Sequence, residues 1–149
     1  MVSWSQFSTD APELAAFGQQ RLVGRIAYLA TIRLDGSPRL HPVSPFTAGG
    51  KLFVYMEPTS PKSHDLRRDA RYALHCGVED NSGGQGEMPI LGSALEVSDR
   101  QARQEAFEQA RQIGYAPEER YVLFELRITE AKVTVYIGGK AERASWKVA

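Results

Sequence analysis

The sequence has too few of certain residues to belong to several common classes of protein. It carries one cysteine, Cys76, so no intrachain disulfide can form, and no paired Cys or His spacing predicts a zinc site. Its 18 Lys and Arg balance 18 Asp and Glu, whereas binding to nucleic acid or an anionic membrane needs a surplus of positive charge. No run approaches the roughly 18 apolar residues of a membrane-spanning helix, and no signal-peptide pattern opens the chain. We therefore expect a cytoplasmic protein with neither nucleic-acid nor membrane partners.

The motifs of common hydrolases and nucleotide-binding enzymes are missing as well. There is no GxSxG, P-loop, GxGxxG or HExxH, and the glycines at 83, 84 and 86 lack the strand-to-helix context of a phosphate-binding loop. The apolar fraction of 42% is that of a globular protein. The sequence predicts one domain, residues 1–149, that neither hydrolyses nucleotides nor acts as a serine or zinc hydrolase.

What the sequence does contain is a series of short strands and only a few helices. Six or seven segments are typical of strands: 26–33, 38–46, 52–56, 72–78, 88–97, 124–128 and 133–137. The turn signals Asp35-Gly36 and Gly49-Gly50 predict that the first three form a meander. This order does not repeat as strand, helix, strand, so it favours a mainly β (α+β) protein, a small antiparallel barrel with peripheral helices.

Local signals add detail to this barrel. Prolines 38, 42 and 45 cannot donate to a strand ladder, so segment 38–46 is predicted to be an edge strand, a bulge or an interrupted strand. Gly92 is typical of a bulge. Helices are predicted after an Asp10 cap, after a Ser60 cap with Pro61 in the first turn, and after a capping box at Ser98–Gln101, the last of these ending near Gly114.

The stretch Thr59-Ser60-Pro61-Lys62 has two interpretations. Hydroxyls, free N–H groups at a helix N-terminus and an ammonium are the groups that bind a phosphate dianion. The same residues also serve in ordinary helix capping with a solvated lysine. The basic residues that follow, Arg67, Arg68 and Arg71, lie among aspartates and are predicted to form a solvated helix face with i,i+4 ion pairing.

Single titratable residues are less informative. His41 lies between two prolines and has the chemistry of a base or of a ligand contact, although a lone histidine on a strand is more often structural. Cys76 in its apolar strand is predicted to be a buried small side chain. No nucleophile with a neighbouring base is evident.

Taken together, ATIRLDGSPRLHPVSPF, KLFVYMEPTSPKSHDLRRDARYALH and EMPILGSALEVSD resemble the pyridoxamine 5'-phosphate oxidase-like family of split β-barrel flavoproteins. The resemblance covers about 26–99 closely and the last strands loosely. It implies a six- to seven-stranded antiparallel split barrel and a homodimer that binds FMN at the subunit interface. In some branches an 8-hydroxy-5-deazaflavin coenzyme replaces FMN.

The resemblance also implies roles for individual residues. Arg39, Ser60 and Lys62 match phosphate contacts, the segment 41–44 borders the flavin ring, and Glu87 matches a ring-binding glutamine. The full set of implied cofactor contacts is Arg39, His41, Pro42, Val43, Ser44, Tyr55, Met56, Ser60, Lys62 and Glu87. His41 and Tyr55 are the candidates for a catalytic proton donor. With this context the phosphate interpretation of Ser60 and Lys62 is favoured over simple capping.

These observations predict an FMN-dependent oxidoreductase that acts on a small, planar or conjugated substrate. Pyridoxamine phosphate oxidation itself is not expected, because Ser44 stands where the oxidases carry a lysine. Two alternatives remain: a deazaflavin-dependent reductase of the same fold, and a non-catalytic carrier or sensor that binds flavin or haem. A structural barrel without any cofactor is a third reading.

Overall fold

An eight-stranded antiparallel sheet forms the body of the protein, and four helices lie around it. The computed structural model describes residues 1–149. The strands are β1 (Ala27–Ile32), β2 (Pro38–Val43), β3 (Phe46–Ala48), β4 (Lys51–Met56), β5 (Arg71–Cys76), β6 (Pro89–Glu96), β7 (Val122–Ile137) and β8 (Lys140–Lys147). Their order is β2-β1-β5-β6-β7-β4-β3, with β8 paired to β7. The sheet does not close, because β2 and β3 at the two ends of this order do not pair. This open antiparallel sheet with surrounding helices confirms the predicted mainly β split barrel.

The helices are α1 (Trp4–Asp10), α2 (Pro12–Arg21), α3 (Pro61–Arg68) and α4 (Arg100–Gln112). Ser60 caps α3 as predicted, because its hydroxyl accepts the Ser63 N–H. The other two predicted caps are wrong. Asp10 is the last residue of α1, and the α4 cap is Asp99, whose carboxylate accepts from the Ala102 N–H at 2.9 Å. No helix combines the length and apolar character needed to cross a bilayer.

Two strand boundaries differ from the sequence prediction. The segment 38–46 breaks at Ser44-Pro45, so β2 pairs with β1 while β3 pairs with β4, and no three-strand meander forms. The segments 124–128 and 133–137 are one continuous strand, β7. The predicted bulge at Gly92 is confirmed, since the pairing of β6 with β7 shifts register between Leu91 and Gly92.

Two apolar clusters fill the structure. The larger lies inside the barrel, where fully buried side chains meet from the sheet and the N-terminal helices, among them Phe7, Leu22, Leu29, Leu74, Phe124 and Ile128. The smaller is formed by residues of β3, β4 and β7 with α4: Phe46, Ala48, Phe53, Tyr55, Ala106, Ala110 and Leu123. Strand β2 is left as the first strand of the sheet, and its Arg39 side chain is bonded to Asp65 of α3.

Candidate functional site

Strand β2 presents the predicted site residues on alternate faces. Successive side chains of a strand point to opposite sides, and Arg39, His41 and Val43 are half-buried or buried while Leu40 and Pro42 are exposed. Pairing with β1 fixes this register, with Leu29 opposite His41. Because β2 has a neighbour on one side only, its second backbone edge is free, as the prolines predicted.

The carboxylate of Asp65 joins β1, β2 and α3. It is 2% exposed and accepts hydrogen bonds from Thr31 Oγ1 at 2.8 Å, Arg39 Nε at 2.6 Å and Arg68 at 3.0 Å. Burial alone would raise the pKa of Asp65, but these bonds outweigh it and hold the pKa below its ordinary value. The role of Asp65 is not predicted from the sequence, because its neighbours in the chain are typical of a solvated helix face.

Asp65 also determines how Arg39 is oriented. One nitrogen of the guanidinium, Nε, is bonded to Asp65, and the Arg39 side chain makes no other hydrogen bond. Its two terminal nitrogens therefore remain free to donate. A guanidinium held by one nitrogen and free at its fork is arranged to receive an oxyanion.

The first turn of α3 offers a small number of further donors. Pro61 has no N–H, and the N–H of Ser63 is taken by Ser60. The N–H of Lys62 has no backbone partner, and the Ser60 hydroxyl, which accepts from Ser63, is still able to donate its own hydrogen. These donors all lie at the positive end of the helix dipole.

The ammonium group of Lys62 is the uncompensated charge of this helix. No carboxylate lies within 4.0 Å of it, whereas Arg67 is paired with Glu96 and Arg68 with Asp65. Burial lowers the pKa of Lys62, and Glu57 opposes part of that effect. The i,i+4 pairing predicted for α3 is not observed, since Arg67 reaches across to β6 and Arg68 pairs at i,i+3.

The imidazole of His41 carries an unsatisfied polar atom. Its Nε2 is buried and has no hydrogen-bond partner. Burial lowers the pKa of His41, and the cations Lys62 and Arg39 lower it further, so the ring is neutral near pH 7. A buried polar atom without a partner is uncommon in proteins and requires an explanation. A ligand group at this position would supply the missing hydrogen bond.

The other end of β2 leads into a large cleft. Ser44 and Pro45 line a cavity of about 590 Å³ together with residues from the end of α2, the connection between α2 and β1, the segment after β5 and the end of α4. At about 3.3 Å per residue, Ser44 is roughly 16 Å along the strand from Arg39. The segment 39–44 therefore runs from the Arg39 guanidinium to this cleft.

The structure does not bring Tyr55 or Met56 to this site. Tyr55 stacks on Phe46, with ring centroids 5.5 Å apart, and packs in the smaller cluster with α4. Burial raises the pKa of its hydroxyl. Met56 is 3% exposed in the larger core. Val43 is buried in the same core, so in this chain a ligand could contact Val43 and Met56 mainly through their backbone atoms.

Glu87 lies in a different part of the surface. Its backbone forms a bridge with Thr134 of β7, and its side chain lines a cleft of about 400 Å³ with His75, Lys132 and Arg143. Nothing in this chain links that cleft to Lys62. The structure thus groups Arg39, His41 and Lys62 near the Ser60 cap, puts Ser44 in the cleft of about 590 Å³, and places Glu87 apart. No group of three or more His, Cys, Asp and Glu is arranged to hold a metal ion.

No protein-family model matches the sequence, and no curated protein matches it significantly. Solved structures do match this chain. A NimC/NimA family protein from Clostridium acetobutylicum aligns with a TM-score of 0.64 and 18% identity, covering 96% of this chain and 94% of that one. A Clostridium acetobutylicum protein related to general stress protein 26, of the pyridoxinephosphate oxidase family, aligns with a TM-score of 0.64 and 15% identity. The alignment covers 97% of this chain and 96% of that one. The heme storage protein HutZ from Vibrio cholerae aligns with a TM-score of 0.60 and 16% identity, covering 92% of this chain and 93% of that one. These similarities establish a shared fold.

Proposed function

We propose that this chain, which has the split-barrel fold of the pyridoxamine 5'-phosphate oxidase-like proteins, binds FMN and catalyses two-electron redox chemistry on a small planar substrate. The proposal rests on the unpaired Lys62 ammonium beside His41, whose buried Nε2 has no partner. A desolvated cation and an unsatisfied imidazole nitrogen are both stabilised by a phosphorylated, hydrogen-bonding ligand.

The residues present fit such a cofactor. Lys62, the Ser60 hydroxyl and the terminal nitrogens of Arg39 would hold the phosphate, and the backbone of 42–44 would border the ring. FMN, when bound, supplies the two-electron redox chemistry, so the protein has to position, desolvate and tune it. His41 is neutral near pH 7 because its pKa is lowered by burial. Its role would therefore be to hold a hydrogen bond through Nε2 rather than to serve as an acid.

Removal of the Lys62 ammonium tests the phosphate contact. We expect Lys62→Ala to weaken FMN binding by about 10- to 100-fold, since a charge-assisted hydrogen bond contributes about 1.5–3 kcal/mol. Arg67→Ala is the matched control, because Arg67 lies on the same helix and is already paired with Glu96 at 2.7 Å. Quenching of FMN fluorescence during titration reports both affinities. Equal affinity in Lys62→Ala and the wild type would falsify the phosphate assignment.

The outer face of the sheet is a candidate interface between two copies of this chain. Tyr28, Leu40 and Leu91 are 45%, 66% and 41% exposed, and the pairing of β2, β1, β5 and β6 sets them beside Ala30 and Ala73. A continuous apolar face of this kind is typical of a protein interface. The occupant that we propose is a second copy of this chain, which is the assembly implied by the family resemblance.

A charge on this face is expected to separate the two subunits. Leu40→Glu would bury a carboxylate in the interface and should convert a dimer to monomers, as measured by sedimentation velocity at micromolar concentration. Leu34→Glu is the control, since Leu34 is 83% exposed in the turn between β1 and β2. A monomeric wild type, or a Leu40→Glu variant that stays dimeric, contradicts the proposed interface.

A second candidate function is storage or transport of a flavin or haem without catalysis. It is favoured by the absence of an acid–base pair at the Lys62 site and by the heme storage protein among the structures that share the fold. The absorption spectrum of the purified protein, with mass analysis of any released ligand, distinguishes FMN, deazaflavin and haem. Bleaching of bound flavin by a reduced nicotinamide or deazaflavin donor, with turnover, supports the enzyme. Bound flavin without turnover supports the carrier.

A further inference from the structure

The cleft of about 590 Å³ beside Ser44 has a composition that the phosphate site does not explain. Its apolar side chains include Ile26, Phe46 and Tyr115, and its cations are Arg21 and Arg25. Apolar and aromatic walls with a few convergent polar groups are typical of a small-molecule site. Because Ser44 lines this cleft and also ends the segment proposed to border the flavin ring, a molecule in the cleft would lie beside that ring.

Arg21 contributes a buried positive charge. It is 4% exposed, and its guanidinium donates to the carbonyl oxygens of Gly77, Gln85 and Gly86. No carboxylate lies within 4.0 Å of it. Carbonyl dipoles satisfy its hydrogen bonds but leave its charge without a counter-ion. Arg21 therefore adds an uncompensated positive charge to the wall of the cleft.

Arg25 contributes free donors. It is exposed in the short connection between α2 and β1, and it makes no side-chain hydrogen bond and no ion pair. Glu79 is the one acidic side chain that lines the cleft; it is exposed and pairs with neither arginine. With two arginines against one glutamate, the lining carries a net positive charge. The planar fork of an unpaired arginine matches a carboxylate in a bidentate arrangement.

We infer that this cleft binds a planar, conjugated carboxylate as the substrate, with Arg25 holding the carboxylate and Ile26 and Tyr115 contacting the ring. This inference rests on the proposed function, because it is the proximity of Ser44 to the flavin that makes the bound molecule a substrate. Arg21 supports the site through its charge and keeps the 77–86 loop in place. The specificity for a charged over a neutral ring compound is thereby assigned to Arg25.

The test compares two probes that differ in charge. Trans-cinnamate and cinnamamide share the ring and the alkene, and isothermal titration calorimetry measures their affinities for the flavin-free protein. We expect cinnamate to bind about tenfold more tightly, since a charge-assisted contact exceeds a neutral one by about 1–2 kcal/mol. Arg25→Met should abolish this preference. Arg100→Met, which removes an exposed and unpaired arginine at the start of α4, should retain it.

The outcomes separate this inference from the proposed cofactor. Equal affinity for the two probes, no binding of either, or an unchanged preference in Arg25→Met overturns the assignment of the cleft. FMN affinity is measured in parallel, and Arg25→Met should leave it unchanged while Lys62→Ala lowers it. A carboxylate preference that depends on Arg25 in a protein that does not bind FMN would support the cleft as a carboxylate site and refute the flavin function.

Discussion

Asp65→Asn is expected to destabilise the protein by about 3 kcal/mol, since removal of one partner from a buried ion pair leaves the other partners uncompensated. The carboxylate of Asp65 receives bonds from Thr31, Arg39 and Arg68, so the substitution affects β1, β2 and α3 together. An amide has one acceptor oxygen and turns an N–H group toward at least one of these donors. The expected loss of stability is at the low end of the range for buried ion pairs, because the Arg39 and Arg68 side chains are 22% and 36% exposed.

Urea denaturation at pH 7 measures this loss, and Asp69→Asn is the control. Asp69 lies four residues later and pairs with Arg71 on the surface, where ion pairs contribute little. If both substitutions shift the urea midpoint by the same small amount, the central role of Asp65 is refuted. Asp65→Asn should also weaken FMN binding, because Arg39 loses the bond that orients its guanidinium.

The pH dependence follows from the same carboxylate. Because the pKa of Asp65 is lower in the folded protein than in the unfolded chain, its contribution to stability is present above the unfolded value of about 4. That contribution is lost as the pH falls through the folded pKa. The difference in stability between the wild type and Asp65→Asn should therefore be largest near pH 7 and shrink at pH 3. A difference that is independent of pH would show that the ionised form of Asp65 is not responsible.

The burial of Asp65 could not be predicted from local sequence. Its partners Thr31 and Arg39 lie 34 and 26 residues earlier in the chain, whereas helix patterns compare residues three or four apart. The segment around it, KSHDLRR, has the composition of a solvated helix. Only the packing of α3 on β1 turns one face of that helix inward. The same holds for His41, whose missing partner is a property of the assembled site.

Strand prediction succeeded where one face is apolar and the other polar. Strand β5 alternates between buried and more exposed residues, and β6 begins in the same way, so their patterns were visible in the sequence. Strand β8 has no buried residue and therefore no such signal, and it forms because it pairs along β7. The start of α3 was also visible, since the Ser60 cap follows from residue types alone, whereas the unpaired state of Lys62 is seen only in the folded structure.

The division of β7 into two predicted strands has a physical cause. In its first half Leu126 and Ile128 are buried, and beyond the register shift the buried residues are Ala131 and Val133. The extra residue of the bulge moves the inward face from even to odd positions. A change of phase within a strand is the same pattern that a break between two strands produces. The sequence cannot distinguish them without the facing strand β6.

This bulge depends on Gly92, and Gly92→Ala is expected to cost about 3 kcal/mol, because overpacking against backbone forces the strands apart. A Cβ at this position would lie 1.8 Å from the carbonyl oxygen of Arg127 and 2.9 Å from the hydroxyl of Tyr72. The Arg127 carbonyl also accepts the hydrogen bond of the Tyr72 hydroxyl at 3.2 Å. The side chain of Tyr72 is fully buried in the core, so neither neighbour can move without disturbing β5 or β7.

Gly77→Ala is the control for Gly92→Ala, since a Cβ there meets nothing nearer than a carbonyl oxygen at 4.0 Å. Thermal unfolding followed by circular dichroism should show a large fall in the midpoint for Gly92→Ala and little change for Gly77→Ala. A Gly92→Ala variant as stable as the wild type would mean that β6 and β7 can separate at the bulge without loss. The close approach of the two strands at Gly92 would then not be needed to hold the β6–β7 side of the barrel together.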